Sequence, residues 1–66
     1  MFNLYNRVFE LCQEKSISVG KMCNELKISR GNLTDLKKER IKTLSSNNLE
    51  KIAAYFNVSV DHLLGN

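Results

Sequence analysis

Apolar residues in this chain recur at helical spacing from one end to the other. Leu4, Tyr5, Val8, Leu11 and Cys12 form one stripe and predict a first helix over roughly residues 3–15. Val19, Met22, Cys23 and Leu26 repeat the i, i+3, i+4, i+7 pattern. Leu33 and Leu36 make a shorter stripe, Leu49, Ile52, Ala53 and Phe56 a fourth, and Val60, Leu63 and Leu64 a last short one. No stretch shows the sustained two-residue alternation of a β-strand. The pattern predicts an all-α chain of five helices with no internal repeat and no linker.

The starts of four helices are written in the same grammar. An apolar residue precedes a serine, and another apolar residue returns four places after that serine. The instances are Ile17-Ser18 with Met22, Ile28-Ser29 with Leu33, Leu44-Ser45 with Leu49, and Val58-Ser59 with Leu63. A serine hydroxyl at the N-cap accepts from an orphan backbone N–H, while the flanking apolar pair staples the incoming chain to the first turn. Helices are therefore expected to begin near 18, 29, 45 and 59. Ser18 and Ser29 lie eleven residues apart. A helix from Ser18 to about Leu26 leaves only Lys27 and Ile28 before the next cap, so two short helices meet at a very tight turn. That spacing suits a helix-turn-helix pair or two antiparallel helices of a bundle, and the charge distribution separates the two.

Ten Lys and Arg stand against seven Asp and Glu, a formal charge of +3. Residues 21–42 carry seven cations, Lys21, Lys27, Arg30, Lys37, Lys38, Arg40 and Lys42, against Glu25, Asp35 and Glu39, a local net of +4. The remainder of the chain is at −1. A solvated face explains most charge runs. A cationic segment beside a neutral-to-acidic remainder is better explained by a polyanion. With Leu33 and Leu36 turned inward, the third helix leaves Arg30, Gly31, Asn32, Thr34, Asp35, Lys37 and Lys38 facing outward. A helix in the DNA major groove needs base-edge readers at its leading end and phosphate contacts around them. Arg30 has the fork that matches guanine O6 and N7, and Asn32 the amide that matches adenine N6 and N7. Thr34 offers a methyl to thymine, and Asp35 either accepts from cytosine N4 or orients Arg30. Helix N-termini add backbone donors for phosphate at Ser18 and Gly20, at Ser29 and Gly31, and at Ser46 and Asn47.

Size and composition exclude other classes. Sixty-six residues allow one small domain, 1–66, with a thin core. No apolar run approaches the ~20 residues that span a bilayer. Residues 1–7 have neither the basic start nor the unbroken apolar stretch of a signal peptide, so the cytoplasm is the expected compartment. Cys12, Cys23 and the lone His62 are too few for a zinc site, which needs about four ligands. The cysteines are expected to be reduced and buried. No nucleophile is paired with a base, no glycine-rich phosphate loop is present, and no two carboxylates stand at catalytic spacing. The expectation is a protein that is not an enzyme and has no metal, cofactor or small-molecule substrate. Phe2, Tyr5, Tyr55 and Phe56 fall at core-like spacing.

At these residues the sequence resembles the phage repressor and Cro family of helix-turn-helix DNA-binding domains, also called the XRE family, over about residues 4–65. The matching segments are Ser18–Leu26, Ile28–Leu36 and above all Leu49–Gly65. The resemblance implies a lambda-repressor-like five-helix bundle whose second and third helices, about residues 18–38, form the reading unit. It places Arg30, Asn32, Thr34 and Asp35 on base-reading positions. Lys38, Arg40 and Lys42, with the starts of the second and fourth helices, fall on phosphate-contacting positions, and Lys21 and Lys37 join them by charge. Three positions depart from the family pattern. Val19 stands where many members have a phosphate-gripping glutamine, which leaves only backbone there. Lys27 stands where the tight turn often has glycine, and a lysine there either takes φ > 0 at a cost of ~1 kcal/mol or adopts another turn. Glu39 stands where glycine often follows the reading helix.

The function that follows is sequence-specific binding of double-stranded DNA by a transcriptional regulator, a repressor acting as a homodimer on a palindromic operator with half-sites roughly 10 base pairs apart. Tyr55, Val60, Leu63 and Leu64 either pair with a second copy or close the monomer's own core. The alternatives are a DNA-binding antitoxin, an N-terminal piece of a longer repressor, and a protein–protein interaction module that keeps the fold without DNA.

Overall fold

The computed structural model describes residues 2–65, and they form five helices: α1 (Leu4–Glu14), α2 (Val19–Leu26), α3 (Arg30–Lys37), α4 (Ser46–Phe56) and α5 (Val60–Leu63). The serine grammar is realised at every site. Ser18 Oγ accepts from the Lys21 N–H at 3.0 Å, Ser29 Oγ from Gly31 at 3.3 Å, Ser45 Oγ from Asn48 at 3.3 Å and Ser59 Oγ from His62 at 3.0 Å. Asn3 caps α1 in the same manner, accepting from the Asn6 N–H at 3.1 Å.

The helix ends answer the starts. Ser16, Lys27 and Asn57 all have positive φ, at 57°, 58° and 56°. The next residue in each case sends its N–H back to a carbonyl five positions earlier: Ile17 to Cys12 at 3.0 Å, Ile28 to Cys23 at 2.9 Å and Val58 to Ala53 at 2.9 Å. This is the Schellman termination, in which the residue after the left-handed one is apolar and folds onto the helix just ended. Here that apolar residue is also the one before the next N-cap serine. Each joint is thus three residues, left-handed, apolar and serine, closing one helix and opening another. α3 ends alike, with Glu39 at φ 62° and the Arg40 N–H on the Asp35 carbonyl at 2.8 Å, but a longer segment follows before Leu44-Ser45.

α1 packs on α2, α3 and α5, and α4 packs on α5. The core collects every stripe of the sequence, with Val8, Met22, Ile52 and Leu63 wholly enclosed and the joint residues Ile28 and Leu44 drawn in beside them. Leu63 takes the second of its two alternatives, and its reading as a contact between copies is corrected. It is 0 % exposed inside the monomer, so it closes the chain's own core and has no surface for a second copy. Val60, Leu64 and Tyr55 are half-buried against the same core. Phe2 corrects another. It is 46 % exposed, with its ring against the backbone of Gly65 and the Arg7 guanidinium 5.7 Å from its centroid, because it precedes the first turn of α1. Arg7 also donates to His62 Nε2 at 3.1 Å, which ties α1 to α5.

Across the molecule, the Tyr55 hydroxyl of α4 donates to Glu25 Oε2 of α2 at 2.6 Å, and the ring sits edge-on to Phe56. Donation to the carboxylate, with lesser help from desolvation and the carboxylate's charge, holds the Tyr55 hydroxyl above the ordinary tyrosine pKa. A phenol whose pKa is raised by folding stabilises the fold in its neutral form. That contribution is complete below the unfolded value of about 10 and is lost as pH rises through the folded one. In a spectrophotometric titration, Tyr55→Phe is expected to remove the tyrosine transition that lies above the ordinary value and to flatten the fall of stability at high pH.

Lysine has no special tolerance of the left-handed region, and the Lys27 side chain is exposed. Lys27→Gly is expected to raise stability by ~0.5–1 kcal/mol, read from thermal or urea unfolding. Asn57→Gly, at the equivalent place after α4, is expected to give less, because asparagine accepts this conformation more readily.

Candidate nucleic-acid interface

Leu33 and Leu36 are 3 % and 4 % exposed and anchor the inner side of α3. With about 100° between successive residues, that anchor fixes the outer surface. Gly31, Thr34 and Lys38 lie opposite the core and are exposed. Arg30 and Lys37 share one flank, toward α1 and α2. Asn32 and Asp35 share the other and are half-buried.

The two flanks differ in chemistry. On the first, the Arg30 side chain runs back across the tight turn, and its guanidinium lies against the backbone of Gly20 in the first turn of α2. Lys37 Nζ stands 6.0 Å from the centroid of the Tyr5 ring, within cation–π range. Between them opens a surface groove of about 380 Å³, floored by Val19, Cys23 and Leu33 and rimmed by Arg30, Thr34 and Lys37. On the second flank, Asp35 Oδ1 lies 3.3 Å from Arg40 Nη1. Of the two roles expected for Asp35, the orienting of Arg30 is not the one seen. Asp35 pairs with Arg40, which the left-handed turn at Glu39 swings back beside the end of α3. Both side chains reach solvent, Asp35 at 41 % and Arg40 at 65 % exposure, and such a pair is worth ~0–1 kcal/mol, so either partner is easily redirected.

The candidate phosphate contacts surround this helix. Lys21, Lys38, Arg40 and Lys42 are exposed, as are Ser46 and Asn47 in the first turn of α4. Ser18 and Ser29 use their hydroxyl oxygens as acceptors for capping, which leaves each O–H proton free to be donated outward. The first N–H groups of α2, on Val19 and Gly20, have no protein acceptor among the described residues. With a valine at position 19, this backbone is what the start of α2 offers an anion.

The cysteines belong to the core. Cys12 and Cys23 are both 1 % exposed, and Cys12 Sγ lies 3.9 Å from Met22 Sδ. Burial pushes both thiols above their usual pKa, and the nearby Arg30 charge offsets only part of that at Cys23. The thiolate is the reactive form, so both are poor nucleophiles.

Two features were missed by the sequence reading. Tyr5 belongs to the α1 stripe, yet it is half-buried, stacked on Phe9 at 6.3 Å and set beside Lys37. Its spacing along the chain carries no sign of α3 as a neighbour. Gly20 stood out only as a glycine near a helix start, and its contact with Arg30 arises from the crossing of α2 and α3.

The profile of the Cro/C1-type HTH DNA-binding domain matches residues 7–65, nearly the whole chain and the entire arrangement of α2 and α3. Comparison with curated proteins and with solved structures gave no match to either. The serine-capped helix pair, its outward cationic face and the extent of the profile match agree: this chain belongs to the Cro/C1-type helix-turn-helix DNA-binding domain family.

Proposed function

We propose that the protein is a sequence-specific regulator of transcription that inserts α3 into the major groove of double-stranded DNA and represses from a palindromic operator as a homodimer. The observation that carries this reading is the outer surface of α3. Arg30, Thr34, Lys37 and Lys38 are all exposed on a helix held rigidly from behind by Leu33 and Leu36. Arg30 and Asn32, at the leading end and on opposite flanks, are suited to reading bases, with Thr34 and Asp35 between them. Lys21, Lys37, Lys38, Arg40 and Lys42 are suited to the phosphates on either side, with Ser18, Ser29, Gly31, Ser46 and Asn47 supplying short donors and backbone. A single module reads few base pairs, which favours two copies on half-sites about 10 base pairs apart. The half-buried Val60, Leu64 and Tyr55 supply the apolar surface for that pairing. This activity places the protein in the cytoplasm, without catalysis or cofactor.

Selection from a random pool of duplexes, followed by binding titrations, tests the reading. The enriched sequences are expected to show two-fold symmetry. Affinity is expected to fall with salt at a log–log slope near −0.9 per phosphate contacted. Arg30→Ala is expected to cost ~1–3 kcal/mol and to relax the preference at one base pair of each half-site. Lys42→Ala is expected to weaken all sequences alike and to make the salt slope shallower by about one. A pool with no enrichment at low salt points instead to an interaction module. Enrichment only in the presence of a second protein points to an antitoxin.

A further inference from the structure

We infer that Gly20 is a positioning residue for DNA recognition: it is the seat on which the Arg30 guanidinium rests, and its missing side chain sets where Arg30 aims. The inference rests on the reading of Arg30 as a DNA contact.

Glycine is the poorest helix former apart from proline, and α2 has only eight residues, so a glycine in its first turn works against the helix. The backbone there does not require it, because Gly20 is not among the residues with positive φ. Its absent side chain has a different consequence. A Cβ built on Gly20 would stand 3.0 Å from Arg30 Nη2, 3.3 Å from Cζ and 3.4 Å from Nε, so the whole guanidinium lies against the glycine backbone. The atoms in the way are the far end of a flexible side chain, so any Cβ is accommodated by displacing Arg30 and not the helices. Arg30 opens α3, and from that position its side chain has the reach to lie back over α2 or to extend along the outer flank of α3. The seat removes part of that freedom before DNA arrives. A long side chain held near its working position loses less rotamer entropy on binding, which is a gain in affinity without a new contact. Gly31, the other glycine of the reading pair, has no such neighbour, since a Cβ there would meet only Ser29 Oγ at 3.4 Å.

The test uses the full chain and the duplex selected above, with variants Gly20→Ala, Arg30→Ala and the double variant. Gly20→Ala is expected to melt at the same temperature or higher. It is also expected to lose roughly fivefold or more in preference at the same base pair that Arg30→Ala identifies, the lower end of what one bidentate contact gives. In the Arg30→Ala background, Gly20→Ala is expected to change nothing further. Unaltered preference in Gly20→Ala, while Arg30→Ala loses it, overturns the inference and leaves the role of Arg30 standing. Equal weakening by Gly20→Ala in both backgrounds overturns it too, since Gly20 then acts through its own backbone or through the fold. No effect from Arg30→Ala removes the role of Arg30, and the inference falls with it.

Discussion

Everything in this small domain depends on how its helices are joined. Three of the four connections use the same device, a left-handed residue followed by an apolar residue and a capping serine: Ser16-Ile17-Ser18, Lys27-Ile28-Ser29 and Asn57-Val58-Ser59. The left-handed residue turns the chain and lets the next N–H reach a carbonyl of the helix behind. The apolar residue drops toward the core from both directions, as the end of one helix and the staple of the next. The serine then satisfies an orphan N–H of the new helix. At each joint one orphan N–H of the new helix and a carbonyl of the old one find partners within the joint, which matters in a domain that buries little else. Helices of four to eleven residues are too short to stand alone in water, so their stability comes from packing. Packing in turn needs fixed angles between them, and the joints fix those angles.

The same device explains which parts of the structure were legible in advance. Four caps and five stripes specify where the helices start and which face turns inward, because capping and burial are local or periodic requirements. The tightness of the turn at Lys27 was legible as well, since only two residues separate the helices, and its left-handed form was implied by the resemblance and not by the spacing. What the chain alone does not disclose is the neighbour across a packed interface. Leu63 and Leu64 share one short stripe, yet Leu63 is fully enclosed and Leu64 is half-buried, a difference set by the angle of α5 on α1 and α4. Phe2 had the spacing of a core residue but lies outside the helix that would have carried it inward. The partner of Asp35 was not legible, because the Arg40 that reaches it comes from beyond the helix end, around a left-handed turn at Glu39.

Function and fold divide the segment 21–42 between them. The apolar residues Met22, Cys23, Ile28, Leu33 and Leu36 are buried, and all seven cations are exposed. No charge from this segment is spent inside, and one exposed ion pair, Arg40 with Asp35, joins its members. A local excess of positive charge that is neither paired nor buried destabilises the free protein slightly through repulsion, and a polyanion relieves it. The two cysteines follow the same division. They fill small spaces where the first two helices meet, and burial keeps their thiols protonated, so the cationic surface above them is unaccompanied by reactive chemistry.

The asymmetry of α3 bears on how a duplex would sit. One flank carries Arg30 and Lys37, with Thr34 above a groove that opens toward the start of α2 and the ring of Tyr5. The other carries Asn32 and Asp35, partly enclosed, with Arg40 returning to meet the carboxylate. A polyanion approaching along the helix axis meets unopposed cations on the first side and a tempered field on the second. A strand on the Arg30 side would meet mainly charge, while the opposite side offers it hydrogen-bonding groups. Hydrogen bonds discriminate between bases and charge does not, so a helix built in this way has one edge suited to holding the backbone and one suited to reading. Arg30 stands at the junction of the two. Its fork is able to serve either phosphate or guanine, so the place where the guanidinium rests bears on which of them it meets.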